Sequence, residues 1–159
     1  MRLLLVDDEK ELLENLKLAF RPTAYECDTE TNPLVALERY KQQRYDVVIT
    51  DVRMPEISGL DLLKLLREYD PSAKVIIITG YGDLDTAIKA INNHAYAFFG
   101  KPLDFKDLIN TLREIASDDF TIAKREIDYQ QLRRDYQNLK ITYEQLLQYL
   151  RQKKQEIVS

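Results

Sequence analysis

Five short apolar runs alternate with amphipathic stretches along the chain, and this alternation restricts the possible fold more than any other feature. Three of the runs are rich in Val, Ile and Leu with little alternation, which is typical of strands buried on both faces. The stretches between the runs repeat Leu and Ile at helical spacing. Five such β–α repeats predict a doubly wound parallel sheet with helices on both faces. The predicted strands cover residues 2–7, 24–29, 46–50, 74–79 and 96–100.

Acidic and other polar residues end or follow four of these predicted strands. Asp7 and Asp8 come at the end of the first strand, Asp51 follows the third, Thr79 ends the fourth and Lys101 follows the fifth. In open parallel sheets, ligand sites form beyond the carboxyl ends of the strands, where the strand order reverses. We therefore expect these five residues to meet at one edge of the sheet.

The residue types at this edge suit phosphoryl chemistry. Three carboxylates held together repel one another, and a hard divalent cation such as Mg²⁺ removes the conflict because it prefers oxygen ligands. Asp51 would then act as a nucleophile toward a phosphoryl group and form an aspartyl phosphate. Lys101 would neutralise the added charge, and the Thr79 hydroxyl would donate a hydrogen bond to a phosphoryl oxygen.

Four segments together resemble the signatures of response-regulator receiver domains of two-component systems. They read VDDE (6–9), TDVRMPEISGLDLL (50–63), TGYGDLDTA (79–87) and FFGKP (98–102). The resemblance covers about residues 2–117 in the correct order. It implies a flavodoxin-like (βα)5 fold with strand order 2-1-3-4-5. It also implies a domain that accepts a phosphoryl group from a phosphohistidine of a sensor histidine kinase and has no other enzymatic activity.

The resemblance assigns roles to the acidic residues by their position in the family's motifs. Asp51 matches the phospho-acceptor, Asp8 the direct Mg²⁺ ligand and Asp7 the water-mediated ligand. The backbone carbonyl of Arg53 matches a further Mg²⁺ ligand. The family also implies a cis peptide bond between residues 101 and 102, which would direct the lysine side chain into the site.

The remaining site residues match positions that respond to the phosphoryl group. Thr79 and Lys101 match the family's phosphoryl-sensing pair. Phe98 matches the aromatic switch, which turns inward when Thr79 moves toward the phosphate. Arg53 and Tyr81 match positions that tune the loss of phosphate, and their bulky side chains predict slow dephosphorylation.

One segment departs from the family's pattern. Where the family often has Gly-Ala-x-Asp before the switch aromatic, residues 94–97 read His-Ala-Tyr-Ala. None of these residues belongs to the phosphorylation machinery, so the expected chemistry is unaffected. The departure concerns the surface formed by the fourth helix, the fifth strand and the fifth helix, which commonly carries output in the family.

The hydrophobic period changes after Phe120. Leucines and tyrosines separated by 4, 3, 4, 3 and 4 residues predict a coiled-coil seam. The seam consists of Leu132, Tyr136, Leu139, Tyr143, Leu146 and Leu150. A helix over residues 121–154 would span roughly 50 Å. We expect a receiver domain over residues 1–117 and a homodimerising coiled-coil helix over residues 118–159, either as a separate helix or as a continuation of the fifth.

Charge and cysteine usage limit the partners and the compartment. Residues 1–120 carry 15 Lys and Arg against 22 Asp and Glu, a net charge of −7, which argues against nucleic acid binding there. Residues 121–159 carry a net +3 but contain no helix-turn-helix segment, so direct nucleic acid binding is not expected. The single Cys27 suits a reducing compartment, and the apolar stretch after Met1 is too short for a membrane span. We therefore expect a cytoplasmic protein.

Two other functions are compatible with an acidic site of this kind. A Mg²⁺-dependent phosphatase of the haloacid type would also use an aspartyl phosphate, but it usually has a second Asp two residues after the nucleophile, where this chain has Arg53. A phosphate-independent dimerisation scaffold with a vestigial site is the other alternative, and the complete acid set argues against it. In the favoured hypothesis the C-terminal helix relays the phosphorylation state to a partner or to an effector domain.

Overall fold

A computed structural model describes residues 1–80 and 84–117, together with helical residues 134, 137, 140, 141, 144 and 145. Strands and helices alternate strictly through the first 117 residues, because apolar runs and amphipathic stretches alternate in the sequence. The strands are β1 (Arg2–Val6), β2 (Glu26–Glu30), β3 (Val47–Asp51), β4 (Val75–Thr79) and β5 (Ala97–Gly100). The helices are α1 (Lys10–Phe20), α2 (Pro33–Gln42), α3 (Gly59–Tyr69), α4 (Leu84–Asn92) and α5 (Phe105–Ser117).

The five strands form one parallel sheet in the order β2-β1-β3-β4-β5. The order and the flavodoxin-like fold predicted from the sequence are confirmed. The strand order reverses at β1, which lies between β2 and β3. The carboxyl ends are aligned there, since Val6 pairs with Thr50 and Asp51 pairs with Ile78. The register therefore places the residues that follow β1 and β3 next to each other.

Both faces of the sheet are buried, and each face has its own hydrophobic cluster. Leu4, Val48 and Ile77 pack with α2, α3 and α4 on one face. Their neighbours along the strands pack with α1 and α5 on the other face, because successive strand side chains point to opposite sides. Burial on both faces explains the near-continuous Val, Ile and Leu of β1, β3 and β4.

The turn between α4 and β5 contains a residue in the left-handed region. His94 has a φ of 59°, and its N–H donates to the carbonyl of Ile91 at 2.9 Å. The N–H of Ala95 donates to the carbonyl of Ala90, also at 2.9 Å. These two bonds form a Schellman motif, in which Gly usually occupies the place of His94. The chain therefore differs from the family's Gly-Ala pattern by having His94, a residue with a Cβ atom, in a backbone conformation that suits Gly.

Substitution of His94 is expected to change stability according to the left-handed preference of the new residue. His94→Gly should raise the free energy of unfolding by about 0.5–1 kcal/mol, because Gly adopts this conformation without a steric penalty. His94→Val should lower it by about 1–2 kcal/mol, since a β-branched residue at positive φ is strongly disfavoured. Urea denaturation of the wild type and the two variants measures these changes in stability. A valine variant as stable as the glycine variant would contradict the prediction.

The chain divides into two compact units, Met1–Ala116 and Ser117–Ser159. In the second unit the seven described residues are helical and exposed, namely Ser117 and residues 134, 137, 140, 141, 144 and 145. The predicted seam of Leu132, Tyr136, Leu139, Tyr143, Leu146 and Leu150 lies outside the described residues. Within the part of the chain that the structure describes, no helix is both long enough and apolar enough to cross a membrane.

Candidate functional site

Four of the predicted site residues lie at the carboxyl edge of the sheet. Asp7 directly follows β1, Asp51 is the last residue of β3, Thr79 is the last residue of β4, and Lys101 directly follows β5. Asp7 and Asp51 are 5% and 8% exposed, so both carboxylates are withdrawn from bulk water. Asp8 lies beside Asp7 and is exposed.

Lys101 brings the two buried carboxylates together. Its Nζ lies 3.1 Å from Asp51 Oδ1 and 3.5 Å from Asp7 Oδ2. The other carboxylate oxygens accept backbone hydrogen bonds, from the Arg53 N–H to Asp51 Oδ2 at 2.6 Å and from the Glu9 N–H to Asp7 Oδ1 at 2.9 Å. Each carboxylate therefore has one oxygen fixed by the backbone and one facing the ammonium group.

Burial and charge act in opposite directions on the ionisable groups of the site. Burial raises the pKa of Asp7, although the hydrogen bond from the Glu9 N–H and the charge of Lys101 oppose the shift. Burial lowers the pKa of Lys101, but its contacts with Asp51 and Asp7 outweigh this effect and the pKa is raised. The lysine is consequently held as an ammonium ion at neutral pH.

The peptide bond between Lys101 and Pro102 is cis, as the resemblance to the receiver family implied. The N–H of Lys101 donates to the carbonyl of Thr79 at 2.8 Å, which joins the ends of β5 and β4. The Thr79 side chain is buried, and Phe98 is half-buried against the cluster on the α2, α3 and α4 face. Tyr81, which was expected to tune the loss of phosphate, lies outside the described residues.

Thr50 and Gly59 contact the backbone carbonyl of Asp51. The Thr50 hydroxyl donates to the Asp51 carbonyl oxygen at 3.0 Å. Gly59, the first residue of α3, lies so close that a Cβ atom there would overlap the same carbonyl oxygen. The hydrogen bond from Thr50 could have been suspected from the sequence, because a threonine interrupts an otherwise apolar strand. The close approach of Gly59 could not be predicted from a local sequence pattern, because it joins the start of a helix to the end of a strand across a loop.

The loop from Asp51 to Gly59 is closed by backbone hydrogen bonds. The N–H of Gly59 donates to the carbonyl of Val52 at 2.9 Å, and Glu56 takes a φ of 69° between them. Ser58 and Asp61 form a capping box at the start of α3, with both reciprocal hydrogen bonds present. The loop that follows the candidate acceptor is thus tied directly to the first turn of α3.

The donor set at this edge fits Mg²⁺ better than a softer metal. Within residues 1–80 and 84–117, no group of three or more acidic, His or Cys side chains is arranged to hold a metal ion. Mg²⁺ needs no such cage, since it typically takes one or two carboxylates and completes its shell with water and phosphate oxygens. Asp7 and Asp51 supply two carboxylates about the same ammonium group, and Asp8 follows Asp7 in the chain.

The fold and the site together define a doubly wound α/β domain with an acid–lysine site at its switch point. Residues 3–113 match the family model of the response regulator receiver domain. Among solved structures, a receiver domain from Clostridium thermocellum is 34% identical, with a TM-score of 0.70 over 74% of this chain and 94% of that one. TrrA of Thermotoga maritima, solved in complex with Mg²⁺-BeF, is 32% identical, with a TM-score of 0.66 over 72% of this chain and 97% of that one.

The chain belongs to the response regulator receiver domain family. Among curated relatives, the transcriptional regulatory protein ZraR of Klebsiella oxytoca is 37% identical over 112 residues, which are 70% of this chain and 25% of ZraR. The response regulator TodT of Pseudomonas putida is 30% identical over 149 residues, which are 92% of this chain and 64% of TodT. This chain therefore matches about a quarter of ZraR and about two thirds of TodT.

Proposed function

We propose that Asp51 accepts a phosphoryl group from the phosphohistidine of a sensor histidine kinase. The observation that carries the proposal is the 3.1 Å contact between Lys101 Nζ and Asp51 Oδ1 at the end of a buried central strand. A carboxylate in this position is rigidly held, and a fixed positive charge lies where negative charge would accumulate. Membership of the receiver family supports the same assignment.

The transfer is a displacement at phosphorus. A carboxylate oxygen of Asp51 forms a bond to the phosphorus atom while the bond from phosphorus to the histidine nitrogen breaks, and the nitrogen keeps the electron pair. Lys101 stabilises the charge on the phosphoryl oxygens, and the Thr79 hydroxyl donates a hydrogen bond to one of them. A carboxylate nucleophile needs no general base, so the chain's single histidine, His94, has no part in the reaction.

The proposal assigns Mg²⁺ to the same edge of the sheet. Asp7, Asp8, Asp51 and the backbone carbonyl of Arg53 would hold the ion. When bound, Mg²⁺ supplies positive charge that offsets the carboxylates and the incoming phosphoryl oxygens. The relative TrrA was solved with Mg²⁺ and BeF, which supports the assignment.

We propose that the phosphorylated state acts through Thr79 and Phe98 and is lost slowly. Movement of Thr79 toward the phosphoryl group would leave space for the half-buried Phe98 ring to turn inward. Arg53 is exposed beside the acceptor, where with Tyr81 it would limit access of water to the acyl phosphate. The cytoplasm is the compartment in which we place this exchange with the kinase.

Incubation of the protein with acetyl phosphate and Mg²⁺ tests the assignment of the acceptor. We expect one phosphoryl group per chain by intact-protein mass spectrometry, because the small donor bypasses the kinase. Asp51→Asn should remove the adduct, and chelation of Mg²⁺ should reduce it strongly. An unmodified wild-type protein would contradict the proposal, and continuous turnover of phosphate esters would favour the phosphatase.

The proposed output is a homodimer formed through residues 118–159, without direct binding to nucleic acid. The support is the heptad spacing of the leucines and tyrosines in this region. Light scattering should give a dimer for residues 1–159 and a monomer for residues 1–117. A monomer in both cases, with and without beryllofluoride, would contradict the coiled-coil relay.

A further inference from the structure

A cavity of about 230 Å³ lies beside the acid–lysine site, between α1 and the loop that joins β5 to α5. Three leucines of α1 form one wall, and Ile49, Ile78 and Leu103 contribute to the others. The leucines of α1 are Leu12, Leu13 and Leu16. Asp7, Asp51 and Lys101 line its polar end, and Thr50 also contributes to the lining. The cavity is therefore an apolar chamber with the candidate site at one end.

The size of the cavity suits a small apolar group. An engineered apolar cavity of about 150 Å³ stays dry and binds benzene, so about 230 Å³ accommodates one aromatic ring with a short substituent. Leu13 is 3% exposed and Ile78 5%, so the face of the ring against these side chains would be removed from water. An apolar occupant would gain the transfer free energy of its buried surface.

The charges at the polar end select the substituent. Asp7 and Asp51 contribute two carboxylates, and Lys101 contributes one ammonium group, which leaves one negative charge without a counterion among these three side chains. The contact of Lys101 with Asp7 Oδ2 is the longer one, at 3.5 Å, so this oxygen can accept another donor. Without Mg²⁺, an anionic group would be repelled here, whereas a cationic donor would complete the pairing.

We propose that this cavity binds a small molecule with one apolar ring or short alkyl chain and one ammonium group. The apolar part would lie among Leu12, Leu16 and Leu103, and the ammonium group would pair with Asp7 and Asp51. Such a ligand occupies the carboxylates that the proposed function assigns to Mg²⁺, so it would compete with the ion and block phosphoryl transfer. The block of transfer rests on the proposed function, but the binding itself does not.

Calorimetric titration of the full chain with benzylammonium tests the charge requirement. Without Mg²⁺ we expect saturable binding of benzylammonium and at least tenfold weaker binding of benzyl alcohol, which has a similar size and no charge. Saturating Mg²⁺ should weaken the binding of benzylammonium at least tenfold. Equal binding of the amine and the alcohol, or no binding of the amine, would overturn the proposal.

Two leucines of α1 provide a matched pair of variants that tests the location. Leu16 lines the cavity, whereas Leu18 on the same helix is 50% exposed. Leu16→Phe should fill the cavity and weaken benzylammonium binding at least tenfold, and Leu18→Phe should leave it unchanged. Equal effects of the two variants would overturn the assignment.

Asp7→Asn provides a test that does not introduce a larger side chain into the cavity. The substitution removes one carboxylate from the end of the cavity. It should weaken the binding of benzylammonium at least tenfold without changing the binding of benzyl alcohol. The titrations measure binding rather than phosphorylation. If the protein binds the amine but forms no adduct with acetyl phosphate, the cavity assignment stands and the proposed acceptor is refuted. If it forms the adduct but does not bind the amine, the acceptor stands and the cavity assignment is refuted.

Discussion

Replacement of Lys101 by Met is expected to slow phosphoryl transfer from acetyl phosphate to Asp51 by about 100-fold. Methionine keeps an unbranched apolar side chain of similar length but removes the ammonium group that lies 3.1 Å from Asp51 Oδ1. Removal of one fixed donor from a site where charge develops typically costs a factor of about 10²–10³. Initial rates of adduct formation, measured by intact mass at saturating Mg²⁺, give the ratio directly.

The same variant should be less stable than the wild type in a pH-dependent manner. The pKa of Lys101 is raised by folding, so its stabilising contribution is complete at neutral pH and is lost only as the pH rises through the folded-state pKa. Without the ammonium group, Asp7 and Asp51 repel each other, and we expect a loss of about 1–2 kcal/mol at pH 7.5. Burial raises the pKa of Asp7, so protonation of its carboxylate should narrow the difference as the pH falls, as measured by urea denaturation.

Lys106→Met is the matched control for both measurements. Lys106 is an exposed residue of α5, five positions beyond Lys101, and its backbone N–H donates to the side chain of Asp104. The control should show wild-type rates, and its difference in stability from the wild type should not change with pH. If the two methionine variants transfer phosphoryl groups at the same rate, the charge of Lys101 has no role in the reaction.

The sheet and the meeting of the acids could be predicted because both follow from short-range patterns. Unbroken runs such as residues 74–79 are characteristic of strands covered on both faces, and parallel strands align their carboxyl ends. Once the runs are assigned as parallel strands, Asp7, Asp51 and Lys101 must lie at the same edge. The strand pattern alone therefore predicts that these side chains lie close together.

Features that depend on backbone angles or on distances between segments could not be predicted in this way. The φ of 59° at His94 and of 69° at Glu56 are set by the surrounding hydrogen bonds rather than by those residues' own preferences. The cavity beside the site depends on how far α1 lies from the loop after β5, which no period in the sequence encodes. The sequence also gave no reason to expect Asp8 to be exposed while Asp7 is buried.

Gly59→Ala is expected to lower the free energy of unfolding by about 3 kcal/mol or more. The new methyl group would overlap the carbonyl oxygen of Asp51, which belongs to the backbone of a central strand and accepts the Thr50 hydroxyl. Because neither the strand nor the first turn of α3 can yield without losing hydrogen bonds, the cost should exceed that of ordinary overpacking. Urea denaturation measures the change.

Gly100→Ala is the matched control, because a Cβ atom there meets nothing within 4 Å and Gly100 does not have a positive φ. It should be neutral or slightly stabilising, since alanine reduces the conformational freedom of the unfolded chain. The Gly59 variant should also accept phosphoryl groups more slowly, because any shift of the Asp51 backbone moves its carboxylate away from Lys101. Equal stability of the two alanine variants would mean that α3 can move away from Asp51 at little cost, and the site would then not depend on this contact.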